Sequence, residues 1–135
     1  QQANEALYRE RLIFMGVVNF KQAKVYKLAF EQAMEIFSIT KNFPKEETYS
    51  LIDQIRRSSR SVCTNLAEAY RKKIYPANFV SKITDYDAEN SETGVWLDFS
   101  LACNYINSEK HNSFISRNEE IGRLLSHMRN NPDKY

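Results

Sequence analysis

Three arginines within one helical turn and a half, Arg56, Arg57 and Arg60, form the densest run of chemistry in this chain, and Arg71, Lys72 and Lys73 extend it. Guanidinium forks and ammonium groups bind anionic oxygens through charge-assisted hydrogen bonds, so this stripe is a candidate anion-binding site. A rival use is equally open. From residue 54 to 73, six Lys and Arg face a single acid, Glu68, whereas residues 77–106 carry five acids and only Lys82. Two such segments are electrostatic opposites, and the arginines can pair with Asp85, Asp87, Glu89 or Glu92 within or between subunits. Glu89 and Glu92 stand one helical turn apart, a spacing suited to acid–base or metal chemistry. Beside them there is no nucleophile, no histidine partner and no glycine loop, and the plainer use is to accept hydrogen bonds from Arg or Tyr.

Other chemistries find less support. No glutamate has a histidine three residues later, the spacing that di-iron helical bundles use. His111 and His127 fall off the usual metal-ligand spacings and read as surface or partly buried imidazoles. Cys63 and Cys103 lie inside helical patterns without a CxxC spacing, as two small buried hydrophobes. With only three glycines, Gly16, Gly94 and Gly122, neither a phosphate loop nor a dinucleotide fingerprint can be assembled. The expectation is a protein that is not an enzyme and takes no metal or cofactor.

These side chains must be positioned by long helices, because the chain has few breakers. Its 135 residues suit one domain with its own core, and 42% apolar content is ordinary for a globular chain. An N-terminal extension, residues 1–18, has a possible short helix over 3–14. A regular pattern follows, with Asn19 as a candidate N-cap and Val25, Leu28, Ala29, Gln32, Ile36 and Ile39 at three- and four-residue steps, ending near residue 42. Pro44 breaks the chain there, and Glu46 and Glu47 fall at the start of the next helix, over about 47–73.

In that helix Ile52, Ile55, Ser59, Val62, Leu66 and Ala69 keep a heptad seam, and Arg56, Arg57, Arg60 and Arg71 flank it. Pro76 opens a third helix over about 77–106, with Phe79, Ile83, Tyr86, Asn90, Thr93, Leu97 and Ser100 on a second heptad. Val95, Trp96, Phe99 and Leu101 widen its apolar surface, a hint of oligomerisation. Gly94 in its middle marks a candidate close crossing. Tyr49, Tyr70, Tyr86 and Trp96 sit at helical intervals, as core residues would. A last helix, capped by Ser108, runs to about residue 130, and residues 132–135 form a tail. Four helices with short links predict an all-α, up-and-down antiparallel four-helix bundle over 19–131.

The formal net charge of +2 proves no anionic partner. No run approaches the roughly 18 apolar residues that a membrane span requires. The first twenty residues lack a signal-peptide pattern, so a cytoplasmic location is expected by elimination.

The stretch FPKEETYSLIDQIRRSSRSVCTNLAEAY resembles the signature of a bacterial four-helix bundle family named after proteins encoded in 23S ribosomal RNA intervening sequences. The residues that carry the likeness are Phe43-Pro44 with Glu47, Leu51-x-x-Gln54-x-x-Arg57 with Arg56, Ser61, and Asn65-x-Ala67-Glu68. AENSETGVWLDFSLACNYI is similar to the family's third helix, with Glu89, Glu92, Trp96 and Leu97 in register. The likeness extends over about residues 25–128. It implies an up-and-down bundle that assembles as a ring- or barrel-shaped homopentamer. One relative, the accessory protein of diversity-generating retroelements, binds nucleic acid and a reverse transcriptase. Carried over, the resemblance casts Arg56, Arg57 and Arg60 as phosphate contacts and Gln54, Asn65, Glu68, Glu89 and Glu92 as a polar frame between helices. Ala69 stands where the family usually has glycine, and Ser58-Ser59 replaces a commoner alanine-rich pair.

Two functions follow as expectations. One is a homo-oligomeric bundle that binds nucleic acid or a nucleic-acid-handling protein. The other is a structural scaffold whose arginines are spent on salt bridges.

Overall fold

A computed structural model describes Leu7, residues 20–71 and residues 75–134, with side chains over 24–69 and 75–134. Apart from Leu7, the possible helix over 3–14 lies outside the described residues, as do the Asn19 cap, Lys72, Lys73 and the side chains of Tyr70 and Arg71. Helix α1 spans Phe20–Thr40, α2 Leu51–Arg71, α3 Pro76–Ala102 and α4 Ser108–Asn130, with short 3-10 turns at Lys45–Glu47 and Pro132–Lys134. Each helix packs on its two neighbours around a square, α1 on α2 and α4, and α3 on α2 and α4. The fold is therefore the all-helical four-helix bundle that the spacing predicts, and no strand occurs among the described residues.

The junctions differ from the sequence reading in ways that local hydrogen bonds explain. Helix α2 begins at Leu51, not near residue 47, because the intervening hydroxyls hold a tighter turn. Thr48 Oγ1 donates to the Lys45 carbonyl at 2.6 Å and Ser50 Oγ to Glu47 Oε1 at 2.6 Å. Short polar side chains offer the backbone such alternatives to α-helix. Tyr49 consequently projects from this turn and is 93% exposed, where a core residue was expected.

Pro76 does occupy the first turn of α3, where its missing N–H costs nothing. At the other end α3 stops at Ala102, short of the anticipated residue 106. Asn104 adopts a left-handed φ of 62°, Tyr105 N–H reaches back to the Ser100 carbonyl at 2.9 Å and Asn104 N–H to Leu101 at 2.9 Å. This is a Schellman closure, with asparagine in the place glycine usually takes. Cys103 thereby lands at the helix end and is exposed, while Cys63 is buried. Only one of the two cysteines is the buried hydrophobe expected. The cap of α4 is Asn107, one residue before the predicted Ser108, and its Oδ1 accepts from Lys110 N–H at 2.7 Å.

Glu47 shows what the tight turn does electrostatically. Its carboxylate accepts from the Ser50 hydroxyl, from the Tyr105 phenol at 3.0 Å and from the Leu51 N–H, in that order of effect. All three favour the charged form and hold its pKa below the usual carboxylate value. A depressed carboxylate pKa supplies stability above the unfolded value of about 4.3, and that stability is lost as pH falls through the folded value. In Tyr105→Phe, the Glu47 titration followed by carboxyl NMR should move part of the way back up; an unmoved midpoint would show that the phenol contact is not made in solution.

Heptad positions become the core with little loss. The buried residues of α3 are Phe79, Ile83, Tyr86, Asn90, Thr93, Leu97 and Ser100, every member of its predicted seam and no other. Apolar packing is split in two. One cluster gathers Val25, Ala29, Val62, Leu66, Phe79, Ile83, Tyr86, Ile121, Leu125 and Met128. The other gathers Ile36, Phe43, Leu51, Ile52, Ile55, Leu97, Ile106 and Phe114.

Between the clusters every helix contributes a buried polar residue: Gln32 from α1, Ser58 and Ser59 from α2, Asn90 and Thr93 from α3, Asn118 from α4. These form a polar belt across the bundle. Gln32 Nε2 donates to the Phe114 carbonyl at 2.9 Å, linking α1 to α4. Asn90 Nδ2 donates to the Asn118 carbonyl at 2.9 Å, and Asn118 Nδ2 returns a bond to the Asn90 carbonyl at 3.1 Å. Thr93 Oγ1 joins Ser58 Oγ at 2.8 Å, linking α3 to α2.

The asparagine pair explains Gly94, where an added Cβ would crowd an amide, while Gly122 is in ordinary contact. A Cβ on Gly94 would lie 3.0 Å from Asn118 Nδ2, and one on Gly122 3.5 Å from Asn90 Nδ2. Each amide thus lies against the glycine one turn beyond its partner, in Asn90-x-x-x-Gly94 and Asn118-x-x-x-Gly122. Gly94 is the close crossing the sequence suggested.

Candidate functional site

The arginine stripe of α2 is divided by the packing of its neighbours. Arg57 faces α3, where its guanidinium meets Glu92 Oε1 at 2.7 Å and Glu89 Oε2 at 3.6 Å. It also reaches Gln54 Oε1 at 3.4 Å, and Glu92 accepts from Trp96 Nε1 at 3.2 Å. Gln54, Arg57, Glu89, Glu92 and Trp96 are therefore one network between α2 and α3. Burial pushes the Glu89 pKa up, Arg57 pulls it down, and neighbouring Glu92 adds to the rise, with a net upward result. A raised carboxylate pKa means that the charged form costs stability at neutral pH. The network is an electrostatic joint between α2 and α3 in which one guanidinium serves two carboxylates, and Glu89 Oε2 is left without a hydrogen-bond partner.

Arg56 and Arg60 turn the other way, toward α1. Arg56 Nε donates to Thr40 Oγ1 at 2.8 Å and its NH2 to the Phe37 carbonyl at 3.4 Å, at the C-terminal end of α1 where cations are favoured. Its guanidinium lies 4.7 Å from the Phe37 ring centroid. Arg60 lies 5.6 Å from the same ring, and Lys41 Nζ 4.7 Å from it. Three cations thus crowd around one aromatic ring, and among the described residues none has a carboxylate within ion-pair distance. Cation–π attraction stabilises each by only about 0.5–1 kcal/mol at an exposed site. It holds them together without cancelling their charge.

A surface groove of about 510 Å³ runs along α2 itself, lined by Thr48, Asp53, Arg56, Arg57, Arg60 and Thr64 among others. Asp53 is its one acid. A second groove, of about 380 Å³, continues from it between α1 and α2 and shares Arg60 and Thr64. Its remaining walls are apolar: Tyr26, Phe30, Ala33, Met34, Cys63 and Ala67.

The other anticipated residues are dispersed. Glu68 pairs with Lys82 at 2.8 Å, a separate α2–α3 contact to which Asp85 adds at 4.0 Å. Asn65 is half-buried and makes no side-chain hydrogen bond to a described residue. Asp87 meets Arg129 of α4 at 3.2 Å, not an arginine of α2. The polar frame is thus two joints, one around Arg57 and one around Lys82. His111 is half-buried and contacts Asp98 at 2.8 Å. Among the described residues, no group of three or more His, Cys, Asp and Glu is gathered as a metal would require.

Sequence reasoning missed Lys41 and Phe37, which sit on the preceding helix and its end. The available signal was an exposed-face aromatic four residues before a lysine, immediately ahead of the turn into the arginine helix.

A family model described as 23S rRNA-intervening sequence protein matches residues 21–127. A solved structure from Bacteroides thetaiotaomicron, described as a protein of unknown function from the S23 ribosomal protein family, superposes with a TM-score of 0.74. It is 28% identical, and the match covers 82% of this chain and 99% of that one. A search of the curated proteins gives no match.

Proposed function

The chain belongs to the 23S rRNA-intervening sequence protein family, and from that premise we propose that it is a non-enzymatic, homo-oligomeric bundle that binds nucleic-acid backbone. The binding face is the Lys41–Arg56–Arg60 cluster. One observation carries the reading: three cations converge on Phe37 with no carboxylate of the described residues within ion-pair distance, while Arg57 and Lys82 nearby are both paired. Clustered like charges repel one another, and an anion seated among them relieves that repulsion. Arg71, Lys72 and Lys73, farther along the chain, extend the same cationic run in sequence.

Phosphate binding of this kind releases counterions and weakens steeply with salt. A generic RNA should bind at low ionic strength, and each of Lys41→Ala, Arg56→Ala and Arg60→Ala should lower the slope of log affinity against log salt by about one. Arg57→Ala should leave that slope nearly unchanged, because its charge is already matched. Absence of binding at low salt, or equal losses at Arg57 and Arg60, would overturn the assignment.

Self-association is read from α3. Val95 is 49% and Phe99 53% exposed, and the Trp96 and Phe99 rings lie 5.8 Å apart, tilted by 39°. A second copy is the proposed cover, with a pentamer favoured by the family resemblance. Light scattering should give a multiple of 15.9 kDa, and Phe99→Asp should shift it toward the monomer; a monomer at tens of micromolar would refute the assembly. A scaffold without nucleic acid is the second reading, favoured by the Arg57–Glu89–Glu92 joint. A reverse transcriptase or similar enzyme is a candidate protein partner under either.

A further inference from the structure

The polar groove along α2 and the apolar groove between α1 and α2 meet at Arg60 and Thr64. Their union offers cations at one end and a slot walled by Tyr26, Phe30 and Met34 at the other. A ligand matched to both carries an anionic group linked to an apolar one, and a flat, polarisable group suits the aromatic and thioether walls. We propose that this side binds single-stranded nucleic acid in particular, with a phosphodiester on Arg60 and Arg56 and its base seated in the Tyr26–Phe30–Met34 groove. The inference rests on reading the cationic cluster as a phosphate site and adds which form of nucleic acid it takes.

Three features support a base as the occupant. The groove volume of about 380 Å³ lies in the range of small-ligand sites. Tyr26 and Phe30 are half-buried, lie with ring centroids 6.3 Å apart at a 37° tilt, and both line the slot. Met34 is 50% exposed at the rim and adds a polarisable thioether. The cross-links of the polar belt run from α1 to α4, α4 to α3 and α3 to α2, and none of them closes the α1–α2 side where the slot lies. Stacking on aromatic side chains beside a cationic track is how proteins hold single strands, and it tolerates any base because every base has a π-face. In a duplex, the base would first have to leave its stack.

The test measures anisotropy of the full chain with three labelled probes of about 12 nucleotides at low salt. They are a single-stranded RNA, the same sequence as a duplex, and a single strand of equal charge with abasic sites. The single strand should bind at least tenfold tighter than the abasic strand and the duplex. Phe30→Ala, checked for retained helicity by circular dichroism, should remove most of that advantage and leave abasic binding unchanged. Met34→Ala, at an exposed position, provides the same readout should Phe30→Ala fail to fold. If abasic and base-bearing strands bind alike with normal salt dependence, the base slot is refuted and the phosphate site stands. If no probe binds, both are refuted.

Discussion

An Asn118→Asp protein should be about 3–5 kcal/mol less stable than the parent at neutral pH, the loss expected of an unpaired buried charge. The amide it replaces is 9% exposed and already has one oxygen, Oδ1, without a hydrogen-bond partner. Its nitrogen is what earns the site, donating to the Asn90 carbonyl at 3.1 Å. A carboxylate of the same shape would place a second acceptor against that carbonyl and supply no donor. Desolvation and the opposing oxygen both raise the folded pKa of the new acid. For a raised carboxylate pKa, stability is fully present below the unfolded value of about 3.9 and lost as pH rises through the folded one. Urea midpoints should therefore recover markedly between neutral pH and about pH 4. A variant that is equally unstable at both would locate the damage in shape and not in charge.

Phe114→Ala should have a comparable effect, about 3–5 kcal/mol, by leaving a cavity in the cluster around Leu97 and Ile106. Phe114 is 1% exposed. How much of the cavity closes decides the size of the loss, and here the backbone is pinned: the Phe114 carbonyl holds Gln32 Nε2 at 2.9 Å across to α1. Arg117 adds a bond to Glu35 at 3.2 Å on the same side. Phe79 is as deeply buried, but it lies in the first turn of α3 at the end of the bundle, where the chain can settle inward. Phe79→Ala should accordingly cost less than Phe114→Ala in chemical denaturation. The reverse order would mean that the cross-link at Gln32 does not hold α4 in place.

Heptad spacing made the interior of α3 legible residue by residue, because a helix flanked by neighbours along its whole length must bury whichever stripe repeats. The same logic was weaker for α1, where Leu28 and Ile39 prove only half-buried while Ala33 and Thr40 are buried. Junctions were less readable: Ser50, Thr48, Asn104 and Asn107 each redirect the chain by a bond to a neighbouring backbone or side-chain group, and periodicity carries no trace of such bonds. The arginine run was visible as composition, but its division was not. Whether Arg57 or Arg60 is neutralised depends on which helix stands on each side of α2, a property of the assembled square. For the same reason the meeting of Lys41, Arg56 and Arg60 at Phe37 could be seen only once α1 and α2 were side by side. The asparagine pair had a faint signature, Asn-x-x-x-Gly twice, at 90–94 and 118–122.

The polar belt crosses each helix near its middle, and this location limits what it can specify. Sliding one helix by a turn against the others would bring amides and hydroxyls level with leucine and isoleucine, so vertical slippage is strongly disfavoured. Turning a helix end for end is different, since a mark at the midpoint stays at the same height after inversion. The belt is blind to polarity. Which way each helix points must therefore be decided at the extremities, by Pro44 and Pro76, the Asn104 closure and the shortness of the links they terminate. Lengthening those links with flexible residues should leave a bundle in correct vertical alignment whose helices are free to choose the wrong direction.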